Sequence, residues 1–306
     1  MTSPRLVFAI LATLAITSSV AAQQRVVRQG PPPKPFSSAE MSAPSVEVPM
    51  LPGEGIVVEV RINGKGPYKF SLDTGAGGGG RITPKTAEAL GLPVVGEVMA
   101  GDPSGKNRQA QKVVEADSLT LGGATFHKVH LSVRELPKRR LDDPEDERDG
   151  VLGFGLFQDH LLTLDYPARR VRIEKGELPP VDDQQVVAFE NRFGVPQIRM
   201  KVGDLEVDAD VDSGNMNGEL VLPASYIGKV ALESEPKVVG KARTGFNEFD
   251  VKQAPLKGSA RVGAQVVERP LVDFVEIFPH GNIGHAFLSR FAVTLDQKNR
   301  RIRFKS

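Results

Sequence analysis

Apolar and polar residues alternate in short runs along most of this chain, and the runs come in pairs. Ile56-Val57-Val58-Glu59-Val60-Arg61-Ile62 reads as a strand, Asn63-Gly64 as a tight hairpin turn, and Tyr68-Lys69-Phe70-Ser71-Leu72 as the return strand. Gly75-Ala76-Gly77-Gly78-Gly79-Gly80 follows, a run that takes positive φ angles at no steric cost and is expected to be loose without a ligand. Arg81-Ile82-Thr83 resumes the extended pattern. Pro84 then opens a short helix through Leu90, with Gly91 at its end.

The second half repeats this grammar. Val195 to Val202 is a strand, Gly203-Asp204 a turn, and Leu205 to Val211 the return strand; Leu220-Val221-Leu222 resumes and Pro223 follows. With a spacing of 139 (73 to 212), Gly64 falls on Gly203, Asp73 on Asp212, Gly75 on Gly214 and Pro84 on Pro223. Each half also closes alike. Gly150-Val151-Leu152-Gly153 precedes Leu162-Thr163-Leu164-Asp165 and Arg169-Arg170-Val171-Arg172-Ile173. Gly281-Asn282-Ile283-Gly284 precedes Val293-Thr294-Leu295-Asp296 and Arg300-Arg301-Ile302-Arg303-Phe304, now at a spacing of 131 (150 to 281). An internal repeat of this length implies two similar lobes, 51–180 and 181–306. Their junction falls where Pro179-Pro180 and Asp182-Asp183 break the pattern.

Composition agrees with short strands and turns: 306 residues, 40% hydrophobic, 31 Gly, 23 Pro, no Trp. With no Cys, no disulfide can staple the lobes and each must rely on its core. A net charge of +1 and the lack of an aromatic-rich basic patch argue against a nucleic-acid partner. Residues 1–22 have the form of a secretory signal: Arg5, an apolar stretch from Leu6 to Ile16, then small residues at Val20-Ala21-Ala22. The alternative is an uncleaved N-terminal anchor. Cleavage implies an exported protein, periplasmic or secreted, with no membrane role beyond export. Residues 23–50, with Pro31-Pro32-Pro33-Lys34-Pro35, read as a Pro-rich flexible linker.

The two strand ends carry the candidate chemistry. Ser71-Leu72-Asp73-Thr74-Gly75 and Asp210-Val211-Asp212-Ser213-Gly214 each place an Asp, a small hydroxyl residue and a Gly at equivalent turns. Two carboxylates about 3 Å apart cannot both ionise cheaply and share one proton. One then serves as base toward a water, the other as acid toward a carbonyl, with no metal and no cofactor. Alone, each Asp is a common turn former after a strand, and Asp165 and Asp296 are read in that way. His127 and His130 on one strand, and His280 and His285 around Gly281-Asn282-Ile283-Gly284, make no metal pattern. Asp142 to Glu147 is read as a solvated acidic loop. Gly101-x-x-x-Gly105-Lys106 lacks a following helix, so nucleotide binding is set aside. Arg81, Asn217 and Glu219 lie close to the motifs with open roles.

Over residues 51–306 the chain resembles the retropepsin-like and pepsin-like aspartic peptidases. The resemblance rests on Phe70-Ser71-Leu72-Asp73-Thr74-Gly75-Ala76, on Ala209-Asp210-Val211-Asp212-Ser213-Gly214, and on Val151-Leu152-Gly153 and Asn282-Ile283-Gly284 as the two ψ-loop partners. It implies an all-β fold of two pseudo-twofold-related acid-protease β-barrel lobes around a central cleft, with few short helices. It implies Asp73 and Asp212 as the catalytic pair, with Thr74 and Ser213 linking the loops beneath them. The expected partner is a polypeptide in extended conformation, and the expected active unit is a monomer, since one chain carries both motifs. The family's flap often carries a Tyr. Tyr68, Tyr166 and Tyr226 all lie outside the candidate flap around Met99, Gly101 and Gly105, and outside a second-lobe hairpin near Thr244–Phe249. That departure and the glycine run support a rival reading: a weak or inactive peptide-binding module with this fold.

Export predicts that protein recovered outside the cytoplasm begins near Gln23. N-terminal sequencing that finds an intact Met1 in such material refutes cleavage.

Overall fold

A computed structural model of the protein describes residues 34–101, 108–136, 147–216, 218–243, 248–276 and 278–306. The signal-like segment, the acidic run 142–146, Gly105, Asn217 and the tip 244–247 lie outside the described residues. The fold is all-β, with two short helices, Pro84–Leu90 and His285–Leu288, among the described residues.

In the first lobe the strand Val57–Ile62 turns inward at every second residue. Val58, Val60 and Ile62 are fully buried, and Phe70 and Leu72 of the return strand Lys65–Asp73 meet them in the same core. Each such side chain contributes roughly 1.5–3 kcal/mol by leaving water. Asn63 (φ 51°) and Gly64 (φ 74°) supply the two left-handed residues that a two-residue hairpin needs. Thr83 caps the helix Pro84–Leu90 by accepting from the Thr86 amide, and Gly91 ends it at φ 66°.

The order of pairing fixes what each lobe can present. Gly150–Gly153 lies parallel to the strand ending in Asp73, with Leu72 opposite Leu152. Gly281–Ile283 lies parallel to Leu205–Val211, with Val211 opposite Ile283. These pairs are the same positions in the two repeats. In the first lobe, Ala124–Val133, Gly80–Ile82, Gly150–Gly153, Lys65–Asp73, Val57–Ile62 and Gln109–Leu121 pair in sequence, and the last returns to the first, closing a barrel. In the second lobe the counterpart of the long strand Gln109–Leu121 is split into Glu248–Pro255 and Ser259–Val262.

A six-strand sheet joins the lobes in the order Val186–Arg192, Arg301–Lys305, Ala292–Asp296, Leu161–Asp165, Arg170–Glu174 and Ser45–Pro49. At its centre Thr163 pairs with Thr294, their hydroxyls 3.0 Å apart. The turn residues Asp165 and Asp296 close its hairpins: Asp165 accepts from the Ala168 amide, and Asp296 from the amides of Leu178 and Asn299.

Two sequence expectations are corrected here. Residues 38–49 are not a flexible linker. Ser38–Met41 pairs with the strand Ala124–Val133, and Ser45–Pro49 forms an edge of the six-strand sheet. The reason is visible in Ser45-Val46-Glu47-Val48-Pro49: Val46 and Val48 alternate inward and are buried, while Glu47 reaches Arg170 and Arg172 outside. The Gly77–Gly80 run is also packed rather than slack. A Cβ at Gly79 would strike the His130 carbonyl, and at Gly80 the Val151 carbonyl. These glycines answer to close backbone approach, not only to a need for positive φ.

If 38–49 is structural, Val46→Ala and Val48→Ala each lower unfolding stability by about 1–2 kcal/mol through lost methyl burial. Urea unfolding checks this, and an unchanged midpoint in the double variant would return the segment to linker status.

Candidate active site: two aspartates across the lobe boundary

Asp73 and Asp212 each follow directly on a buried hydrophobic strand end, and the residue after each crosses to the other lobe. Thr74 and Ser213 are fully buried. The Thr74 amide donates to Ser213 Oγ at 3.0 Å, and the Ser213 amide donates to Thr74 Oγ1 at 2.9 Å. Each hydroxyl then donates to a carbonyl of the opposite strand, Thr74 Oγ1 to Val211 at 2.6 Å and Ser213 Oγ to Leu72 at 3.0 Å. The amide and the hydroxyl of each crossing residue are thus satisfied away from water, which a buried network requires.

The glycines that follow complete the approach. A methyl group on Gly75 would overlap the carboxyl of Asp212, and one on Gly214 the carboxyl of Asp73. Only hydrogen leaves room. Each carboxylate also accepts from its own turn: Asp73 Oδ1 from the Gly75 amide at 2.8 Å, Asp212 Oδ1 from the amides of Gly214 at 3.0 Å and Asn215 at 3.1 Å. The two carboxyls are themselves in hydrogen-bond contact. Val151, Leu152 and Gly153 run beside Asp73; Asn282, Ile283 and Gly284 run beside Asp212.

The lobes then differ at the cross-strand pair that flanks each Asp. In the first lobe Arg81 pairs with Val151; in the second, Val221 pairs with Asn282. Arg81 Nη1 lies 3.7 Å from Asp73 Oδ2. Asn282 Nδ2 donates to Asp212 Oδ2 at 2.9 Å and is held by Asn215, whose Nδ2 donates to Asn282 Oδ1 at 2.7 Å. Each Asp therefore has one polar escort, from opposite strands of the equivalent pair, and the two escorts differ in charge. Asp212 is half-buried with one face open. Burial, then the charge of Asp73, pushes its carboxyl up to about 8 from an ordinary 3.8, against the Asn282 hydrogen bond that lowers it. Asp210 adds to the same repulsion. It is itself held by Gln197 Nε2 at 3.0 Å and His280 Nε2 at 2.8 Å, a contact that fixes the approach to Asn282.

Other residues singled out in the sequence take outer positions. Met99 is partly exposed near the end of the strand Val94–Ala100, and Gly101 follows it. Glu219 accepts from the Leu271 amide and pairs with Arg290. His130 contacts Glu115 and the Lys34 carbonyl, and His127 contacts Glu40. Among the described residues no group of three or more His, Asp or Glu is placed to hold a metal ion. The sequence leaves the role of Arg81 open, marks Asn282 only as a ψ-loop residue and does not by itself reveal the matching bulges in the two hairpins. Val94-Val95-Gly96 and Val238-Val239-Gly240 both shift register at the middle residue. The identical Val-Val-Gly triplets are the signal that could have found them; for Asn282 it is the contrast with Val151 at the same repeat position.

Fold and site together define a two-lobed all-β chain with acid-protease architecture and one aspartate from each lobe at the boundary. Residues 58–156, the greater part of the first lobe, match the family model described as aspartyl protease. The match takes in Asp73, Thr74, Gly75 and Val151-Leu152-Gly153, and it supports aspartic protease activity in general. No curated protein matches the chain.

A carboxyl whose folded pKa is raised keeps a proton that the unfolded chain has released, so its contribution to stability is present below about pH 4 and is lost as pH rises towards 8. One proton sets a slope of at most about 1.4 kcal/mol per pH unit, and the partial exposure of Asp212 narrows the pH interval over which it acts. Stability measured by urea from pH 4 to 8 should fall in the wild type and lose that component in Asp212→Asn. Identical slopes in the two proteins would remove the raised proton from Asp212.

Proposed function

We propose that this chain is an exported aspartic endopeptidase, working as a monomer on extended polypeptides. The observation that carries the reading is the reciprocal crossing of Thr74 and Ser213, which brings two carboxylates into contact with a glycine packed on each. In this reading the pair holds one proton. Asp212, whose carboxyl is raised, keeps it and hydrogen-bonds the scissile carbonyl; Asp73 carries the negative charge and takes a proton from the attacking water. The tetrahedral intermediate then collapses as the leaving nitrogen gains a proton from the pair.

In this reading the cleft between the lobes is bordered by two hairpins, Val94–Ala100 paired with Gln109–Leu121 and Lys237–Arg243 paired with Glu248–Pro255. Their edges suit an extended peptide that adds backbone hydrogen bonds. Export is part of the proposal through the pattern of residues 1–22. The rival reading, a binding module without useful turnover, draws on the flap: among the described residues neither hairpin carries a Tyr.

Purified wild type should cleave unstructured peptides with a bell-shaped pH profile whose alkaline limb reaches close to neutrality, because the raised carboxyl is the one that must stay protonated. Asp73→Asn and Asp212→Asn should each lower kcat by about three orders of magnitude or more, and the double variant should be little worse than either. Full activity in either folded variant sinks the pair. Binding without turnover in the wild type favours the binding module instead.

A further inference from the structure

A third carboxylate lies two residues before Asp212. Side chains two apart on a strand share a face, so Asp210 stands on the face that carries Asp212. Asp210 is buried, and both its oxygens are engaged: Oδ1 by Gln197 Nε2 at 3.0 Å, Oδ2 by His280 Nε2 at 2.8 Å. A carboxylate only accepts, so the imidazole donates through Nε2. Asn282 lies opposite Asp210 in the parallel strand pair and donates to Asp212. His280 precedes Asn282 by two residues, as Asp210 precedes Asp212. The Asp210–His280 couple is therefore the Asp212–Asn282 couple repeated one step back along the same two segments.

The first lobe has no such couple. At the two repeat spacings Ser71 stands in the place of Asp210 and Asp149 in that of His280. Opposite Ser71 is Val57, where Asp210 has Gln197. Asp149 is engaged elsewhere, accepting from the Lys69 amide and the Thr86 hydroxyl, each at 2.9 Å. The first lobe builds the equivalent strands with Ser and Val, so the fold does not call for a carboxylate here. Burying one beside another carboxyl costs stability. Its effect falls on Asp212. Burial and the charge of Asp73 do most to hold a proton there, and the charge of Asp210 adds to them.

The charged groups around the couple divide by what they can do. Asp208, on the same strand, is taken by Arg199, whose Nε and Nη2 lie 3.0 and 2.9 Å from it. Asp73, with Arg81 3.7 Å away, lies beyond Asp212. Beyond Asn282 comes Val221 and then Asp273, which accepts from Gln253 at 2.7 Å. His280 alone among these partners changes charge without breaking its contact, because Nε2 carries a hydrogen in both the neutral imidazole and the imidazolium. With neutral His280 the couple carries one negative charge and helps Asp212 keep its proton. With charged His280 the couple is neutral, and the repulsion that would draw a second proton onto the aspartate pair is removed. Both states favour the singly protonated pair.

We propose that Asp210 and His280 are positioning residues for the proton of the aspartate pair, and that their change of charge widens the pH range over which the pair holds exactly one proton. The proposal rests on the peptidase reading for its catalytic readout, while the coupling to Asp212 has a readout of its own.

The test records kcat/KM on an unstructured peptide from acid to alkaline pH for wild type, Asp210→Asn, His280→Gln and a control, Asp208→Asn. Urea unfolding of the same four proteins is followed over the same pH series. Asp210→Asn keeps the shape and removes the charge, so the alkaline limb should move down by about one pH unit. His280→Gln keeps a side-chain N–H and cannot gain a charge, so the acid limb should move up while the alkaline limb stays. Asp208→Asn should move neither limb. A purely structural role lowers the plateau of activity and leaves both limbs in place, and loss of stability cannot move one limb in one variant and the other limb in the next. Unmoved limbs in both Asp210→Asn and His280→Gln overturn the proposal, as does a shift in Asp208→Asn equal to that in Asp210→Asn. If wild type turns over no peptide, the unfolding series decides: the stability lost with rising pH through Asp212 should be lost at lower pH in Asp210→Asn. That shift without turnover sinks the peptidase reading and leaves the coupling standing; no shift overturns the coupling as well.

Discussion

The structure depends on one constraint: residues that are repeat counterparts must meet their own partners on a pseudo-twofold axis. Thr74 reaches Ser213, and Thr163 reaches Thr294. The separations of these pairs, 139 and 131, are the two spacings of the sequence repeat. That identity has a physical cause. On an axis of this kind contact is reciprocal, so whatever one lobe donates the other returns. Both contacts use small hydroxyl side chains, which donate and accept at once and can therefore serve both directions of a reciprocal bond. With no cysteine in the chain, the alignment of the lobes is left to these hydroxyls and to the strands that pair across the axis.

Symmetry brings the two carboxylates together, but symmetric carboxylates would have no reason to differ. The departure lies one strand away, where Arg81 opposite Val151 in one lobe becomes Val221 opposite Asn282 in the other. A cation stands beside Asp73 and a neutral amide beside Asp212, which also lies near the carboxylate of Asp210. In the proposed mechanism the proton belongs on the side without the cation. Asn282 fits that role, because an amide fixes the carboxyl's orientation without demanding that it be ionised.

Much of this is legible in the chain. The hairpin at Asn63-Gly64, the helix from Pro84 to Gly91 and the pairing of each Asp strand with its Gly-apolar-Gly partner follow from local chemistry repeated twice, and repetition turns weak motifs into a strong pattern. The edge strands 38–41 and 45–49 are hidden by the prolines around them. Five residues with two inward valines carry too little periodicity to stand out, and their pairing with the strand Arg170–Glu174 is non-local. The glycine run misleads for a different reason. Composition shows that a glycine tolerates positive φ, but not that a carbonyl of a distant strand fills the space its side chain would need.

The packed glycine run also changes how closure of the cleft must be understood. Gly77 sits against the Phe193 carbonyl and Gly155 against the Gly78 backbone, so the loop after Asp73 is clamped between the lobes. The two hairpins carry exposed apolar residues: Val94, Val95 and Met99 in one lobe, Val238 and Val239 in the other. Each hairpin is bulged at its Val-Val-Gly triplet, and a bulge bends a strand and sharpens its twist. Paired bulges at equivalent places give the two hairpins a matching bend. Under the peptidase reading, matched apolar hairpins shield a bound chain where a single aromatic flap residue is missing, so the missing Tyr is a weaker argument against turnover than it is from sequence alone.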